Sequence, residues 1–242
     1  MTTHDFNRSN YDSCVHFKKS DDGSFVYLLL YVDGMLIAPK DKKEIRKIKV
    51  QLSKGFEMKD LGVTKKILGM EILRYRKAGK LYISHKEYIK KVLHRFNMQN
   101  AKLVSTLLAT HFRLSFVLSP QSDDDVDYMS QVPYSNAVGC LMYAMVCSRL
   151  DLSYAISRYM ANPGKEHWKT VQWIFRYLRG STDVCLHFGR TRDEVVGYVD
   201  SNFAGDLYKR KSLTGYVFTI DGCTINWKAP LSTTVTLSTT EI

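Results

Sequence analysis

The sequence has few cysteines, and none of them has the spacing of a metal site. Five cysteines are scattered through 242 residues, and no Cys-x-x-Cys pair occurs among them. A disulfide framework pairs an even set of cysteines in a short secreted chain, whereas a structural zinc site needs closely spaced thiolates. The sequence therefore indicates neither class, and we expect reduced thiols that fill the interior.

Long hydrophobic runs are also missing. The longest, around Phe25 to Val32, is far shorter than the roughly 20 apolar residues that cross a bilayer, and residues 1–5 have neither a basic start nor an apolar signal core. We therefore expect an intracellular protein, in the cytoplasm or the nucleus, with no membrane partner. Nothing in the sequence predicts an oligomeric state.

Acidic residues are outnumbered, with 24 Asp and Glu against 35 Lys and Arg, which gives a formal net charge of +11. Such an excess favours a nucleic-acid partner, because neutralised phosphates release counterions whatever the base sequence. For any single cation, an ordinary solvated face remains an equal explanation. The cations that we predict to contact nucleic acid are Lys42, Arg46, Lys86, Lys90, Lys209, Arg210 and Lys211.

One carboxylate lies at the tip of an otherwise apolar stretch. Aromatic, β-branched and leucine residues lead into Val32-Asp33-Gly34 and apolar residues follow, which predicts two buried strands and a tight turn in which Gly34 supplies the positive φ. A carboxylate held between packed strands suits a divalent metal in phosphoryl transfer. An ordinary Asp-Gly turn explains Asp33 without any metal, so the hairpin alone leaves both interpretations open.

Several blocks of the sequence resemble the Pol polyprotein of copia-type long-terminal-repeat retrotransposons. Tyr31-Val32-Asp33-Gly34-Met35-Leu36 resembles the Tyr-Val-Asp-Asp-Met-Leu turn of its reverse transcriptase, with Gly34 in place of the second Asp. Further blocks follow in the order of that family: Phe56-Glu57-Met58-Lys59-Asp60-Leu61-Gly62, Leu68-Gly69-Met70-Glu71-Ile72, Val132-Pro133-Tyr134-Ser135-Asn136-Ala137-Val138-Gly139, residues 157–168 and Lys211-Ser212-Leu213-Thr214-Gly215-Tyr216-Val217-Phe218. The resemblance implies RNA-directed DNA polymerase ancestry, magnesium as cofactor, and RNA, DNA or RNA–DNA hybrid as partner.

The periodicity of the first half predicts alternating helices and strands. Apolar residues at helical spacing predict amphipathic helices at 41–53 and 85–96. Strands are predicted at 65–75 and 80–84, joined by a turn at Gly79.

The second half has a polar linker followed by helices. Ser119 to Asp127, with its run of aspartates, is interpreted as a solvated connection. From Tyr134 onward a helix is predicted to place Met142 and Met145 on its apolar face, and Asn162-Pro163 to cap the next helix.

The resemblance and these patterns together imply an α+β fold in three parts. Residues 1–98 correspond to the C-terminal part of a reverse transcriptase palm, 99–181 to a linker and a helical thumb or connection, and 182–242 to a truncated ribonuclease H-like segment. Asp200 ends an apolar strand where the first metal-binding carboxylate of that nuclease belongs, and Glu241 matches the second. The remnant catalytic and metal positions are therefore Asp33, Asp200 and Glu241.

Magnesium-dependent phosphoryl transfer needs several carboxylates at fixed geometry. Gly34 has no ligating side chain, and we expect no counterpart before Asn10 of the other essential Asp of the family. We therefore predict that magnesium is not bound productively and that the chain is an inactive remnant of a reverse transcriptase with ribonuclease H. A non-catalytic, sequence-indifferent nucleic-acid-binding protein and an unstable pseudogene product remain as alternatives.

Overall fold

The structure is a computed structural model. It describes the chain except residues 1–5, 21, 33, 109–117, 157–161, 190–193, 207–210, 229–230 and 236–242, and it leaves out the side chains of 154, 201–206, 211–214 and 231–235. The described residues form two units, 1–64 and 65–242. Three antiparallel sheets accompany the helices, so the predicted α+β class is confirmed. The assignment of palm, thumb and ribonuclease H parts stays a prediction.

The first unit is one sheet with one helix. The sheet has the order β1-β2-β3-β4, with strands Asn7–Arg8, Val15–Lys19, Phe25–Tyr31 and Gly34–Ala38. Helix α1 (Lys42–Ser53) begins where the Asp41 carboxylate accepts a hydrogen bond from the Lys43 N–H at 3.0 Å, an N-cap that satisfies one of the free amides of the first turn. The helix buries Ile48 and Leu52 in one apolar cluster with Val26 and Leu28 of β3.

The β3–β4 hairpin exists as predicted, but its strands are only partly buried, with Val26 and Leu28 as the buried residues of β3 and none in β4. The prediction for Gly34 is also wrong. Gly34 lies in β4 and pairs with Tyr31, while Val32 takes the positive φ of 53°. In a two-residue hairpin the loop residues take the left-handed conformation, and the residue after the loop already belongs to the strand. A β-branched residue in that conformation is strained, and such strain concentrates at functional turns. Asp33 itself lies outside the described residues.

The second sheet contains a turn that the sequence patterns missed. Its strands, in the order β5-β6-β7-β8, are Lys66–Ile67, Met70–Tyr75, Lys80–Ser84 and Cys185–Phe188. The single strand predicted at 65–75 is wrong, because Leu68 and Gly69 take φ of 49° and 75° and reverse the chain between β5 and β6. The turn predicted at Gly79 is confirmed, with φ of 64°.

The helices of the second unit enclose one apolar core. They are α2 (Lys86–Arg95), α3 (Asp123–Ser130), α4 (Tyr134–Cys147), α5 (Ser153–Ile156) and α6 (Lys165–Gly180). Side chains from α2, α4 and α6 contribute most of the buried residues, including Ile89, Leu93, Leu141, Val171, Ile174, Phe175 and Leu178.

Three predictions for the helical region are wrong in detail. The aspartate run forms the first turn of α3, since the Ser122 hydroxyl accepts from the Asp125 N–H and carboxylates stabilise a helix N-terminus. Met142 of α4 is 48% exposed, not inward. The N-cap of α6 is Gly164, whose N–H donates to His167 Nδ1 at 3.0 Å, and Asn162-Pro163 precedes it.

The third sheet is built around one central strand. Strand β10 (Lys211–Ile220) pairs with β9 (Val195–Asp206), β11 (Cys223–Lys228) and β12 (Leu231–Val235). Strand β9 runs past Asp200, where the sequence predicted its end, so Asp200 lies within the strand, opposite Gly215. Backbone pairing with β10 continues the strand through this polar residue.

The five cysteines are free thiols of intermediate burial, so the prediction that they fill the interior is wrong. Among the helices in the described part of the chain, none is long and apolar enough to cross a membrane.

Candidate nucleic-acid interface

Helix α1 presents four cations to solvent, the predicted Lys42 and Arg46 and also Lys43 and Lys47. Lys42 and Arg46 are exposed on one side of the helix, and Ile48 and Leu52 are buried on the other. None of the four cations has an ion-pair partner among the described residues. Lys49, by contrast, binds the Asp60 carboxylate at 2.6 Å, and this hydrogen bond lowers the pKa of Asp60. Lys42 and Arg46 are therefore available to a phosphate, and so are Lys43 and Lys47 among the described residues.

The two predicted cations of α2 already have partners. Lys86 forms an exposed ion pair with Asp183, which raises the pKa of Lys86 and lowers that of Asp183. Lys90 binds the Glu87 carboxylate at 2.8 Å and lowers the pKa of Glu87. A phosphate would have to compete with these carboxylates, so each of the two cations is a weaker candidate than Lys42 or Arg46.

The remaining predicted cations lie in the region of β9 and β10. Lys209 and Arg210 lie outside the described residues. Lys211 begins β10, where its backbone pairs with Asp206, but its side chain is not described.

The described residues do not form a magnesium site. Gly34 has no side-chain oxygen, Asp33 and Glu241 lie outside the described residues, and Asp200 is exposed on β9. Within the part of the chain that the structure describes, no three His, Cys, Asp or Glu side chains are grouped so as to hold a metal ion. Magnesium prefers a near-octahedral set of oxygens. The described residues therefore do not fit a magnesium ion.

A buried histidine lies against the Leu68-Gly69 turn, and no sequence pattern predicted it. His85 is fully buried, stacks on Tyr88 with ring centroids 4.6 Å apart, and has no hydrogen-bond partner for either ring nitrogen among the described residues. A Cβ at Gly69 would lie 3.1 Å from His85 Nε2, so glycine is needed both for the positive φ and for this approach. Burial lowers the pKa of His85, although Glu71 opposes the shift.

A second buried histidine caps α6. His167 is fully buried, and its Nδ1 accepts the Gly164 N–H, which requires the neutral ring. Burial lowers the pKa of His167 as well. Both histidines are therefore held neutral by the fold of the second unit.

We expect the second unit to lose stability in acid because of these two histidines. Both pKa values are lowered from the ordinary 6.5, so stability is complete above that value and falls as the pH drops below it, because the unfolded chain takes up protons first. Each histidine lowers the free energy of unfolding by at most about 1.4 kcal/mol for each pH unit below this value. Urea unfolding at several pH values measures this change. A His85→Gln, His167→Asn variant should lose this dependence between pH 7 and 5, and its full retention would contradict the assignment.

The comparisons with known proteins agree with the resemblance. Residues 1–109 match the reverse transcriptase (RNA-dependent DNA polymerase) family. The chain is 53% identical over 233 residues to the retrovirus-related Pol polyprotein from transposon TNT 1-94 of Nicotiana tabacum, covering 95% of this chain and 18% of that protein. It is 32% identical over 223 residues to the Pol polyprotein from transposon RE2 of Arabidopsis thaliana, covering 90% and 15%.

A relative of similar length also matches. An uncharacterized mitochondrial protein of Arabidopsis thaliana is 31% identical over 221 residues, which cover 89% of this chain and 88% of that protein. No solved structure matches the chain. This chain spans less than a fifth of each of the two Pol polyproteins. The chain therefore belongs to the copia-type retrotransposon Pol family and contains a reverse transcriptase-like region of that polyprotein.

Proposed function

We propose that this chain is a nucleic-acid-binding derivative of a copia-type reverse transcriptase that no longer polymerises DNA. The observation that carries the proposal is Gly34. It pairs with Tyr31 at the start of β4, directly after Asp33, where the resemblance implies a second aspartate. A glycine supplies no side-chain carboxylate to a metal, and loss of a metal ligand typically lowers rates by orders of magnitude.

We propose that the ribonuclease H-like segment has lost its activity for the same reason. Its two carboxylate positions are Asp200, exposed in β9, and Glu241, outside the described residues. Two-metal hydrolysis requires several carboxylates around the same phosphate. We therefore propose that the chain no longer cleaves RNA and that magnesium was the cofactor of its ancestor.

Nucleic-acid binding is the activity that the charges support. The chain has a net charge of +11, and Lys42 and Arg46 lie one helical turn apart on the exposed side of α1, without described ion pairs. This spacing allows both side chains to reach one phosphate backbone. RNA, DNA and RNA–DNA hybrid are the proposed partners, bound through phosphate without base recognition.

Primer extension on an RNA template, with magnesium or manganese, tests the loss of polymerisation. The purified chain and its Asp33→Ala variant should both remain at the level of a reaction without protein. A parallel assay of RNA cleavage in a hybrid should give the same result for the chain and for Asp200→Asn. Extension that Asp33→Ala abolishes would overturn the proposal.

Filter binding at several salt concentrations tests the binding function. A Lys42→Gln, Arg46→Gln variant should reduce the slope of log affinity against log salt on duplex DNA by about 0.9 for each phosphate that the variant no longer neutralises. The Lys86→Gln, Lys90→Gln variant is the matched comparison. Its salt slope should change less, because Lys86 and Lys90 already form ion pairs with carboxylates. Binding that is insensitive to salt would contradict the proposal.

A further inference from the structure

One face of the second sheet carries apolar and aromatic side chains that are exposed or half-buried. Leu73 and Tyr75 of β6 are 54% and 52% exposed. In register, Leu73 pairs with Tyr82 of β7, Tyr75 pairs with Lys80, and Tyr82 pairs with His187 of β8. Paired residues of an antiparallel sheet share a face. These five residues therefore form one continuous surface across three strands, which we call the hairpin platform.

The rings of the hairpin platform lie in contact. Tyr82 stacks on His187 with centroids 4.6 Å apart and an interplanar angle of 13°, and Tyr75 meets Tyr82 edge to face at 5.8 Å and 90°. The edge-to-face pair holds the two tyrosines at right angles. A shallow surface depression lies beside these rings and the end of the hairpin.

That depression is a shallow pocket, open to solvent, of about 360 Å³. Leu73, Tyr75, Ala78, Lys80 and Tyr82 line it, so its wall is apolar and aromatic with one cation at the rim. Sites for small planar ligands typically measure about 300–1,000 Å³ and combine an apolar wall with a few polar groups. The pocket therefore has room for a ring the size of a nucleobase.

The hairpin that carries the pocket is strongly basic. Arg74, Arg76, Lys77 and Lys80 lie within one short stretch, and no acidic residue occurs between Ile72 and Lys86. None of these four cations has an ion-pair partner in the described part of the chain. A cross-strand aromatic ladder could stabilise the hairpin by itself, but that role requires neither the pocket nor a concentration of positive charge.

We propose that the hairpin platform binds single-stranded nucleic acid, stacking an unpaired base on the exposed ring of Tyr75. Tyr82, which already stacks on His187, forms the wall beside that base, and Arg76, Lys77 and Lys80 contact the phosphates. Aromatic rings bordered by cations are the arrangement that binds single strands, because every base offers a stacking face. Bases within a duplex are already stacked and paired, so the platform discriminates against duplex. The platform uses none of the residues proposed to contact phosphate on α1.

Fluorescence anisotropy with a labelled single-stranded oligonucleotide and its duplex tests the proposal on the full chain. Removal of each ring in Tyr75→Leu and Tyr82→Leu should weaken single-strand binding by about tenfold or more, with little effect on duplex binding. Tyr198→Leu is the matched control, because this tyrosine also lies in a strand and is 59% exposed. It should leave both affinities unchanged.

A second variant keeps the test valid if the tyrosine substitutions disturb the sheet. Lys80→Gln should reduce the salt slope on the single strand by about 0.7, the value for one phosphate contact. Unchanged single-strand affinity and unchanged salt slope would overturn this proposal. That result would leave the proposed function intact, since the proposed function predicts instead that Lys42→Gln, Arg46→Gln weakens duplex and single strand alike.

Discussion

Replacement of Asp151 by alanine is expected to lower the free energy of unfolding of the second unit by about 3 kcal/mol, because it leaves a buried guanidinium without its counter-charge. Arg149 is fully buried. Its Nη2 and Nε donate to the two Asp151 oxygens at 2.6 and 2.9 Å. The Asp151 side chain keeps 33% of its surface exposed, so water offsets part of the loss and the value falls at the lower end for buried pairs.

Other groups complete this network. Arg149 also donates to the Ser181 carbonyl at 3.0 Å and to the Ser181 hydroxyl at 2.8 Å, and the Tyr177 hydroxyl donates to Asp151 at 2.8 Å. Burial alone would raise the pKa of Asp151, but the hydrogen bond and charge of Arg149 outweigh it and lower that pKa. The contribution of the pair is therefore present above the ordinary carboxyl pKa of about 3.9 and is lost as the pH falls below it.

Urea unfolding followed by tryptophan fluorescence measures this effect in one unit alone. Trp168, Trp173 and Trp227, the three tryptophans of the chain, all belong to the second unit. Asp183→Ala is the matched control, since it removes an aspartate from an exposed pair and should cost less than about 1 kcal/mol. Equal losses for the two variants would contradict the role assigned to Arg149.

Replacement of Phe175 by alanine is expected to cost about 4 kcal/mol in the same experiment. Phe175 is fully buried in α6 and stacks on Phe96 with ring centroids 5.0 Å apart. Its truncation removes apolar contacts and leaves a cavity that closely packed helices close only in part.

Graded substitutions distinguish a cavity effect from general disruption. Phe175→Leu should cost less than half as much as alanine, because it retains most of the buried volume. Val146→Ala, on a side chain that is 65% exposed in α4, should change stability by less than about 0.5 kcal/mol. A broad, non-cooperative transition in the unsubstituted chain would instead favour the unstable pseudogene product.

Local sequence patterns predicted the elements that depend on neighbouring residues. The 3.6-residue apolar repeats at 41–53 and 85–96 identified α1 and α2 to within a residue at each end. Gly79 marked the end of the β6–β7 hairpin. These features rest on interactions within a few residues, such as caps and turn conformations, so the sequence carries them directly.

The acidic run shows where local interpretation went wrong even without long-range contacts. Consecutive aspartates at 123–125 suggested a solvated connection, yet Ser122 caps them as the first turn of α3. The charge repulsion is offset there because free amides and the helix dipole favour negative charge at this end. The N-cap at Ser122 therefore stabilises a helix here, although the polar composition suggested a loop.

The sequence by itself determined the family, the α+β class, the basic charge and the replacement at Gly34, because each of these is carried by residue identity or by short-range pattern. Only the tertiary structure revealed the burial of His85 beside Gly69, the pairing of Arg149 with Ser181, and the contact of Tyr82 with His187. The partners in these contacts are far apart along the chain or have no local signature. Their proximity depends on the packing of the sheets and helices, which no local pattern specifies.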